Sequence, residues 1–232
     1  MNFFRINAKF LKAAGYHYMN CVRYAIETGC IVIFPDYRLA PEYPFPYFYE
    51  DCYAVFNEIY EKADAYGIDR NRIGVGGDSA GATLAVGLCM MTHERKHPVH
   101  FAFQMLPYPY LDARNNSESC KKYTDTPMWN SKLSASITPM TNVSKEHPSY
   151  CWYSPVEAKD FTFFPPTYIE TAEFDCLHDD GILFAEQLKQ AGVDVQLNET
   201  KGTMHGYDIV TRASVSQDSM KRRITFMKKY FA

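Results

Sequence analysis

A short glycine-rich turn between two apolar segments is the feature that most constrains how this chain can fold. The motif G-D-S-A-G at 77–81 follows the apolar run I-G-V at 73–75 and precedes the helix-forming stretch 83–88. A strand, a G-x-S-x-G turn and a helix in this order hold a serine hydroxyl outward above the carboxyl edge of a parallel sheet. We therefore predict that Ser79 is a nucleophile, flanked by small residues because the turn is tight.

Apolar runs of strand length alternate with longer helical patterns along the rest of the chain, which is typical of βαβ units. We predict helices at 16–28, 47–66, 179–191 and 215–230, and a further helix that follows the serine turn, includes 83–88 and ends at about residue 94. The predicted strands are 30–34, 72–76, 100–106, 167–171 and 195–199. The uninterrupted, β-branched run at 30–34 is typical of a strand buried on both faces. The predicted fold class is α/β, with a mostly parallel sheet covered by helices on both faces, in one domain of residues 1–232.

One long segment interrupts this alternation. Residues 111–153 are rich in Ser, Thr, Asn and Lys and show only a short helical pattern at 128–137. A long interruption in a compact α/β domain is usually functional. We expect a lid-like insertion here, and we expect pocket walls from nearby aromatic residues, namely Tyr108, Tyr110, Trp129 and Trp152.

Composition and charge exclude several classes of protein. The net charge is −3 with both signs scattered, so we expect no nucleic-acid partner. Seven cysteines without a C-x-x-C pair argue against a disulfide framework and a zinc site. No stretch approaches the about 20 apolar residues of a membrane span, and no signal peptide is evident. We expect a cytoplasmic protein with no membrane partner and no metal or organic cofactor.

A nucleophilic serine needs a base to take its proton and an acid to orient that base. Asp175 follows the predicted strand 167–171, and His205 lies in a glycine-containing loop after the predicted strand 195–199. The chain order serine, acid, histidine and the position of each residue after a strand predict Ser79, Asp175 and His205 as a catalytic triad. Asp179 and Asp180 compete as the acid but suit a helix N-cap, and His178, near Asp175, follows the wrong strand for the base.

Further motifs carry a resemblance to a known family. D-Y-R-L-A-P-E at 36–42 is followed by P-F-P at 44–46, and D-C-L-H-D at 175–179 and H-G-Y at 205–207 come later. With the serine turn, these motifs resemble the hormone-sensitive-lipase-like branch of the α/β-hydrolases, the bacterial carboxylesterases and acetyl esterases. The resemblance implies an α/β-hydrolase fold and hydrolysis of small, short-chain acyl esters through an acyl-serine.

The chain departs from this family at its beginning. Family members carry an H-G-G-G motif upstream of D-Y-R-L-A-P-E, and its backbone N–H groups line the oxyanion hole. Counting back from Asp36 reaches R-I-N-A-K-F at 5–10, where Phe10 matches the aromatic residue after the glycines but no glycine precedes Gly15. Ala80 N–H is then the one predicted oxyanion donor. We expect an N-terminally shortened family member with reduced activity.

Two other functions stay open from sequence: an impaired remnant acting as a binding module, and a serine peptidase.

The expected N-terminal shortening also affects the predicted oligomeric state. If residues 2–6 form the neighbouring strand, the strand at 30–34 becomes the edge of the sheet. An unprotected apolar edge invites self-association, so we predict homo-oligomerisation through it.

Overall fold

A six-stranded parallel sheet forms the centre of the protein in this computed structural model, which describes residues 2–6, 9 and 13–231. The strands are β1 (Asn2–Ile6), β2 (Ile31–Ile33), β3 (Ile73–Gly77), β4 (Phe103–Pro107), β5 (Thr167–Ala172) and β6 (Val195–Thr200). They lie in the order β2-β1-β3-β4-β5-β6, and each neighbouring pair is parallel. The predicted α/β class and parallel sheet are confirmed.

Eight helices connect or follow these strands in the described part of the chain. They are α1 (Gly15–Thr28), α2 (Tyr47–Glu61), α3 (Ala80–Glu94), α4 (Glu118–Lys122), α5 (Ser131–Ile137), α6 (Tyr150–Tyr153), α7 (His178–Gln190) and α8 (Ser214–Phe231). Short 3₁₀ turns occupy Thr138–Thr141, Pro155–Glu157 and Tyr207–Ile209. None of the helices described here is long and apolar enough to cross a membrane. The cytoplasmic location stays a prediction.

Helices cover both faces of the sheet, as predicted. On one face α1 and α8 bury an aromatic cluster that includes Phe3, Phe103 and Phe226. On the other face α2, α3 and α7 pack over a larger cluster. Helix α3 is buried on all sides from Gly81 to Thr92, which identifies it as the central helix of the domain. The serine turn that leads into α3 is therefore anchored in the core.

Strand β2 differs from its prediction. It spans only Ile31–Ile33 rather than 30–34, and it lies at the edge of the sheet with β1 as its one neighbour in the described chain. Ile31 is 43% exposed and the other two residues are half-buried, so the strand is not buried on both faces. An apolar, β-branched run alone does not distinguish a central strand from an edge strand, because the position in the sheet depends on which strands pair.

The segment 111–153 contains α4, α5, α6 and irregular chain, and acidic residues of α7 hold it in place. Asp179 accepts the Ser119 N–H at 2.8 Å, and Asp180 accepts two backbone N–H groups, those of Leu111 and Asp112, at 3.1 Å each. The N-cap interpretation of these two acids is wrong. The N-cap of α7 is Leu177, which makes no side-chain cap hydrogen bond.

Gly87 on α3 permits a close approach of α2 that a larger residue would prevent. A Cβ added there would lie 2.3 Å from Cε1 of Tyr49, whose buried ring is tethered by a 2.7 Å hydrogen bond from its hydroxyl to the Trp152 carbonyl. We expect Gly87→Ala to lower the free energy of unfolding by about 1–3 kcal/mol in urea titrations. Gly15→Ala is the control, because nothing lies within 4 Å of its Cβ position; equal midpoints for the two variants would contradict this packing.

Candidate active site

The turn between β3 and α3 exposes the Ser79 hydroxyl at the carboxyl edge of the sheet. Ser79 has a φ of 58°, a left-handed backbone that a non-glycine residue adopts only at some cost. Before it, a Cβ at Gly77 would lie 2.5 Å from the backbone of Gly81 and 2.6 Å from the Ile6 carbonyl. The tight turn therefore requires glycine at 77 and keeps the serine hydroxyl pointing away from the core.

Ser79, His205 and Asp175 form one hydrogen-bonded chain. Ser79 Oγ lies 2.8 Å from His205 Nε2, and His205 Nδ1 lies 2.6 Å from Asp175 Oδ2. Asp175 is fully buried, and its other oxygen accepts the Leu177 N–H at 2.9 Å. A carboxylate accepts only, so His205 Nδ1 carries the proton and Nε2 accepts from the serine hydroxyl. The structure brings together all three residues that sequence order selected.

The sheet supplies the two loops that carry the acid and the base. Asp175 follows β5 and His205 follows β6, and these strands pair along their whole length up to Ala172 and Thr200. Beyond the strands, Phe174 N–H donates to the Thr203 carbonyl at 2.8 Å, which keeps the loops side by side. Neighbouring parallel strands thus place two residues that lie thirty positions apart in sequence at one edge.

The rival histidine lies elsewhere. His178, in the first turn of α7, contacts Asp179 at 3.0 Å and Glu199 at 3.4 Å, and it is not part of the chain that reaches Ser79. Its position after β5 rather than β6 explains this.

A buried ionic network holds the loop that carries His205. Arg223 of α8 pairs with Glu170 of β5 and, at 2.6 Å, with Asp208, which lies three residues after His205. Asp208 also accepts a 2.7 Å hydrogen bond from the Tyr108 hydroxyl. The Tyr108 ring in turn packs edge-on against the His205 imidazole, with centroids 4.9 Å apart. The network therefore connects the helix α8 to the ring that faces the serine.

A second ion pair lies beneath the serine turn. Asp78 pairs with Arg5 of β1 at 2.5 Å and lies 3.6 Å from Nε2 of His17. His17 Nδ1 accepts the Ala14 N–H at 3.0 Å, so its Nε2 carries the proton that faces Asp78. Although burial opposes ionisation, the Arg5 guanidinium holds the pKa of Asp78 well below its usual value. Sequence reasoning missed Arg5 and His17; the arginine between the apolar residues Phe4 and Ile6 of β1 was the available signal.

A cavity of about 260 Å³ opens above Ser79 and His205. Its apolar wall consists largely of aromatic and aliphatic side chains, namely Tyr108, Tyr110, Trp129, Leu133, Ile137 and Tyr153. Three of the four aromatic residues that were predicted to form the pocket walls therefore line the cavity. Trp152 does not: its indole N–H donates at 3.0 Å to the carboxylate of Glu94, the last residue of α3. Neighbouring residues of an α-helix point about 100° apart, so Tyr153 reaches the cavity and Trp152 does not.

Ala80 lies beside the nucleophile on the cavity wall. It is the first residue of α3, and the first N–H groups of a helix have no acceptor within the helix. Its N–H is thus available to an oxygen in the cavity. Phe10, which the resemblance matched to the family's oxyanion segment, lies outside the described residues, as do residues 7 and 8. Within the described ranges, no group of three or more His, Cys, Asp or Glu is placed to hold a metal ion.

Comparison with known proteins places this site in a family. Residues 10–209 match the family described as alpha/beta hydrolase fold. The chain is 33% identical to Esterase LipI of Mycobacterium tuberculosis over 192 residues, covering 82% of this chain and 60% of LipI. It is 34% identical to Carboxylesterase NlhH of the same species over 188 residues, covering 79% and 58%. The chain thus spans about 60% of the length of these curated relatives.

Solved structures agree with this assignment. A protein titled Bacterial Heroin Esterase superposes with a TM-score of 0.94 at 35% identity, covering 100% of this chain and 75% of that one. Esterase LipW from Mycobacterium marinum gives a TM-score of 0.92 at 27% identity, covering 99% and 73%. On the match over residues 10–209 and these similarities, the chain belongs to the α/β-hydrolase fold family, in its hormone-sensitive-lipase-like esterase branch.

Proposed function

We propose that this protein is a serine carboxylesterase that hydrolyses small, short-chain esters with Ser79, His205 and Asp175 as its catalytic triad. The observation that carries the proposal is the hydrogen-bonded chain from Ser79 Oγ through the His205 imidazole to the buried Asp175 carboxylate. Relatives named esterase and carboxylesterase support the ester as the substrate class. The cavity of about 260 Å³ suits a small acyl group.

The geometry supports a two-step reaction. His205 Nε2 takes the proton of Ser79 as Oγ attacks the ester carbonyl, and the Ala80 N–H donates to the oxyanion that forms. The bond to the leaving alcohol then breaks, and the alcohol receives the proton from His205. Water, deprotonated by the same nitrogen, then attacks the acyl-serine. The bond from the acyl carbon to Ser79 Oγ breaks, His205 returns the proton to Oγ, and the carboxylic acid leaves. Asp175 keeps the imidazole in the required tautomer and stabilises its positive charge.

Labelling and turnover together test this proposal against the two alternatives. A fluorophosphonate should modify Ser79, and p-nitrophenyl acetate should be hydrolysed, with both signals lost in Ser79→Ala. Labelling without turnover of any ester would favour the binding module with an impaired site. Turnover of peptides that exceeds turnover of esters would favour the peptidase.

Asp175 has a testable orienting role. We expect Asp175→Asn to lower kcat about 10⁴-fold, because an amide that donates to Nδ1 moves the imidazole proton to the nitrogen that must accept from serine. The measurement is kcat for p-nitrophenyl acetate. Asp179→Asn is the matched control, since this carboxylate contacts Ser119 and His178 rather than His205. Similar kcat values for the two variants would argue against Asp175 as the acid.

We also propose that the edge strand β2 permits self-association of this chain. Ile31 is exposed there, and the apolar run of the strand has no partner on its outer side within the described chain. Light scattering should detect oligomers that grow with protein concentration and that are reduced in Ile31→Lys. A stable monomer at all concentrations would contradict this second proposal without affecting the first.

A further inference from the structure

The amine of Lys9 is buried beside the nucleophile without a polar partner. The residue is 1% exposed, and Nζ makes no hydrogen bond within the part of the chain that the structure describes. It lies 4.0 Å from the ring centroid of Tyr153 and 4.8 Å from that of Tyr110, so aromatic faces surround it. Desolvation holds the pKa of Lys9 well below its usual value. Burying an amine without a hydrogen-bond acceptor is costly unless a ligand pairs with it.

This amine belongs to the reaction cavity. Lys9, Tyr110 and Tyr153 line the same 260 Å³ space as Ser79 and His205. Tyr110 N–H donates to the Ser79 carbonyl at 3.2 Å, which places the aromatic cradle of the amine directly beside the nucleophile. A molecule bound for reaction at Ser79 therefore lies within the space that Lys9 faces.

The cavity wall offers donors but holds no free carboxylate for this amine. Besides Lys9 Nζ, the indole N–H of Trp129 and the hydroxyl of Tyr110 are shielded from solvent and lack a hydrogen-bond partner among the described residues. Asp78, the one acidic residue on the wall as described, is engaged by Arg5 at 2.5 Å and faces His17. Three unpaired donors around a small apolar space therefore match a guest that brings its own negatively charged acceptor.

We propose that Lys9 is a specificity-determining residue that pairs with a carboxylate on the ester substrate. The preferred substrate class is a short ester that carries one carboxylate, on either the acyl side or the alcohol side. This inference rests on the proposed esterase function and refines it. The pair would form in a water-poor cavity, where a charge-assisted hydrogen bond is strong and where a neutral guest leaves the amine unpaired.

Two esters test whether Lys9 pairs with a carboxylate on the acyl side or on the alcohol side of the substrate. Monoethyl glutarate carries its carboxylate on the acyl side, and 3-acetoxypropanoate carries it on the alcohol side. The neutral comparison for each is the primary amide of the same shape. We expect the wild-type protein to favour one carboxylate ester over its amide by roughly 10–100-fold in kcat/KM, measured by product chromatography, and Lys9→Met to lose that preference.

Two further variants complete the kinetic test. Lys9→Arg should retain part of the preference, because a guanidinium at this position can also pair with the carboxylate. Lys121→Met is the matched control: it removes an exposed lysine, paired with Glu118 at 2.6 Å, and should leave the preference unchanged. An unchanged preference in Lys9→Met, or a wild-type protein that does not distinguish carboxylate from amide on either side, would overturn the proposal.

Binding without turnover keeps this inference separate from the esterase proposal. In the Ser79→Ala background, calorimetry should detect the favoured carboxylate ester binding at least tenfold more tightly than its amide, a difference lost when Lys9→Met is added. If the wild-type protein hydrolyses no ester but this difference is present, the esterase proposal fails and the carboxylate site stands. If the two ligands bind equally to Ser79→Ala, the carboxylate site fails. Thermal unfolding of Lys9→Met should occur at or above the wild-type temperature, because a buried unpaired amine is removed.

Discussion

Replacing Ser79 by alanine should reduce ester turnover by about 10⁴–10⁶-fold, the largest functional effect that we expect from one substitution. The variant removes the atom that forms the acyl intermediate, while the cavity and the Ala80 N–H stay in place. His205→Ala should cost a similar amount, and the double variant should be little worse than either one. This lack of additivity is expected because nucleophile and base act in the same step.

The measurement is kcat for p-nitrophenyl acetate together with fluorophosphonate labelling. Ser136→Ala is the control, since its exposed hydroxyl bonds only the Leu133 carbonyl of its own helix. Circular dichroism and the unfolding midpoint of Ser79→Ala should match those of the wild-type protein. A folded Ser79→Ala variant that retains activity within tenfold of wild type would require another nucleophile and would refute the triad.

Replacing Arg223 by methionine should destabilise the protein by about 3–5 kcal/mol, the largest stability effect that we expect from removing one side chain. Arg223 is almost fully buried and pairs with two buried carboxylates, those of Glu170 and Asp208. Methionine fills much of the space but leaves two uncompensated acids in the core. Because Asp208 holds the Tyr108 hydroxyl and Tyr108 packs on His205, the surviving folded fraction should also show a lower kcat.

Urea unfolding gives the free energy for this variant and for its controls. Arg23→Met removes an exposed pair with Glu27 and should change stability by less than about 0.5 kcal/mol. Combining Arg223→Met with Glu170→Gln and Asp208→Asn should recover much of the loss, since no buried charge then lacks a partner. A single Arg223→Met variant as stable as the Arg23→Met control would show that the network contributes little.

The local features of this chain could be read directly from its sequence. The strand before the serine turn was predicted within one residue of its observed bounds, 73–77, and the end of α3 was predicted at its observed position, Glu94. The physical reason is steric: a turn this tight excludes a Cβ at Gly77 and must join two apolar elements. The meeting of Ser79, Asp175 and His205 was also predictable, because parallel strands bring their carboxyl ends to one edge.

Only the tertiary structure decided which residues far apart in sequence contact one another. Arg5 reaches Asp78 because β1 and β3 are neighbours in the sheet, and Arg223 reaches Glu170 because α8 packs under β5. The buried Lys9 amine, the cavity that it faces and the exclusion of Trp152 from its wall likewise depend on how helices and loops pack. Periodicity and turn chemistry act over a few residues, so they determine elements and their order. Which charges become paired, and which stay unpaired beside Ser79, depends on three-dimensional packing that no local pattern encodes.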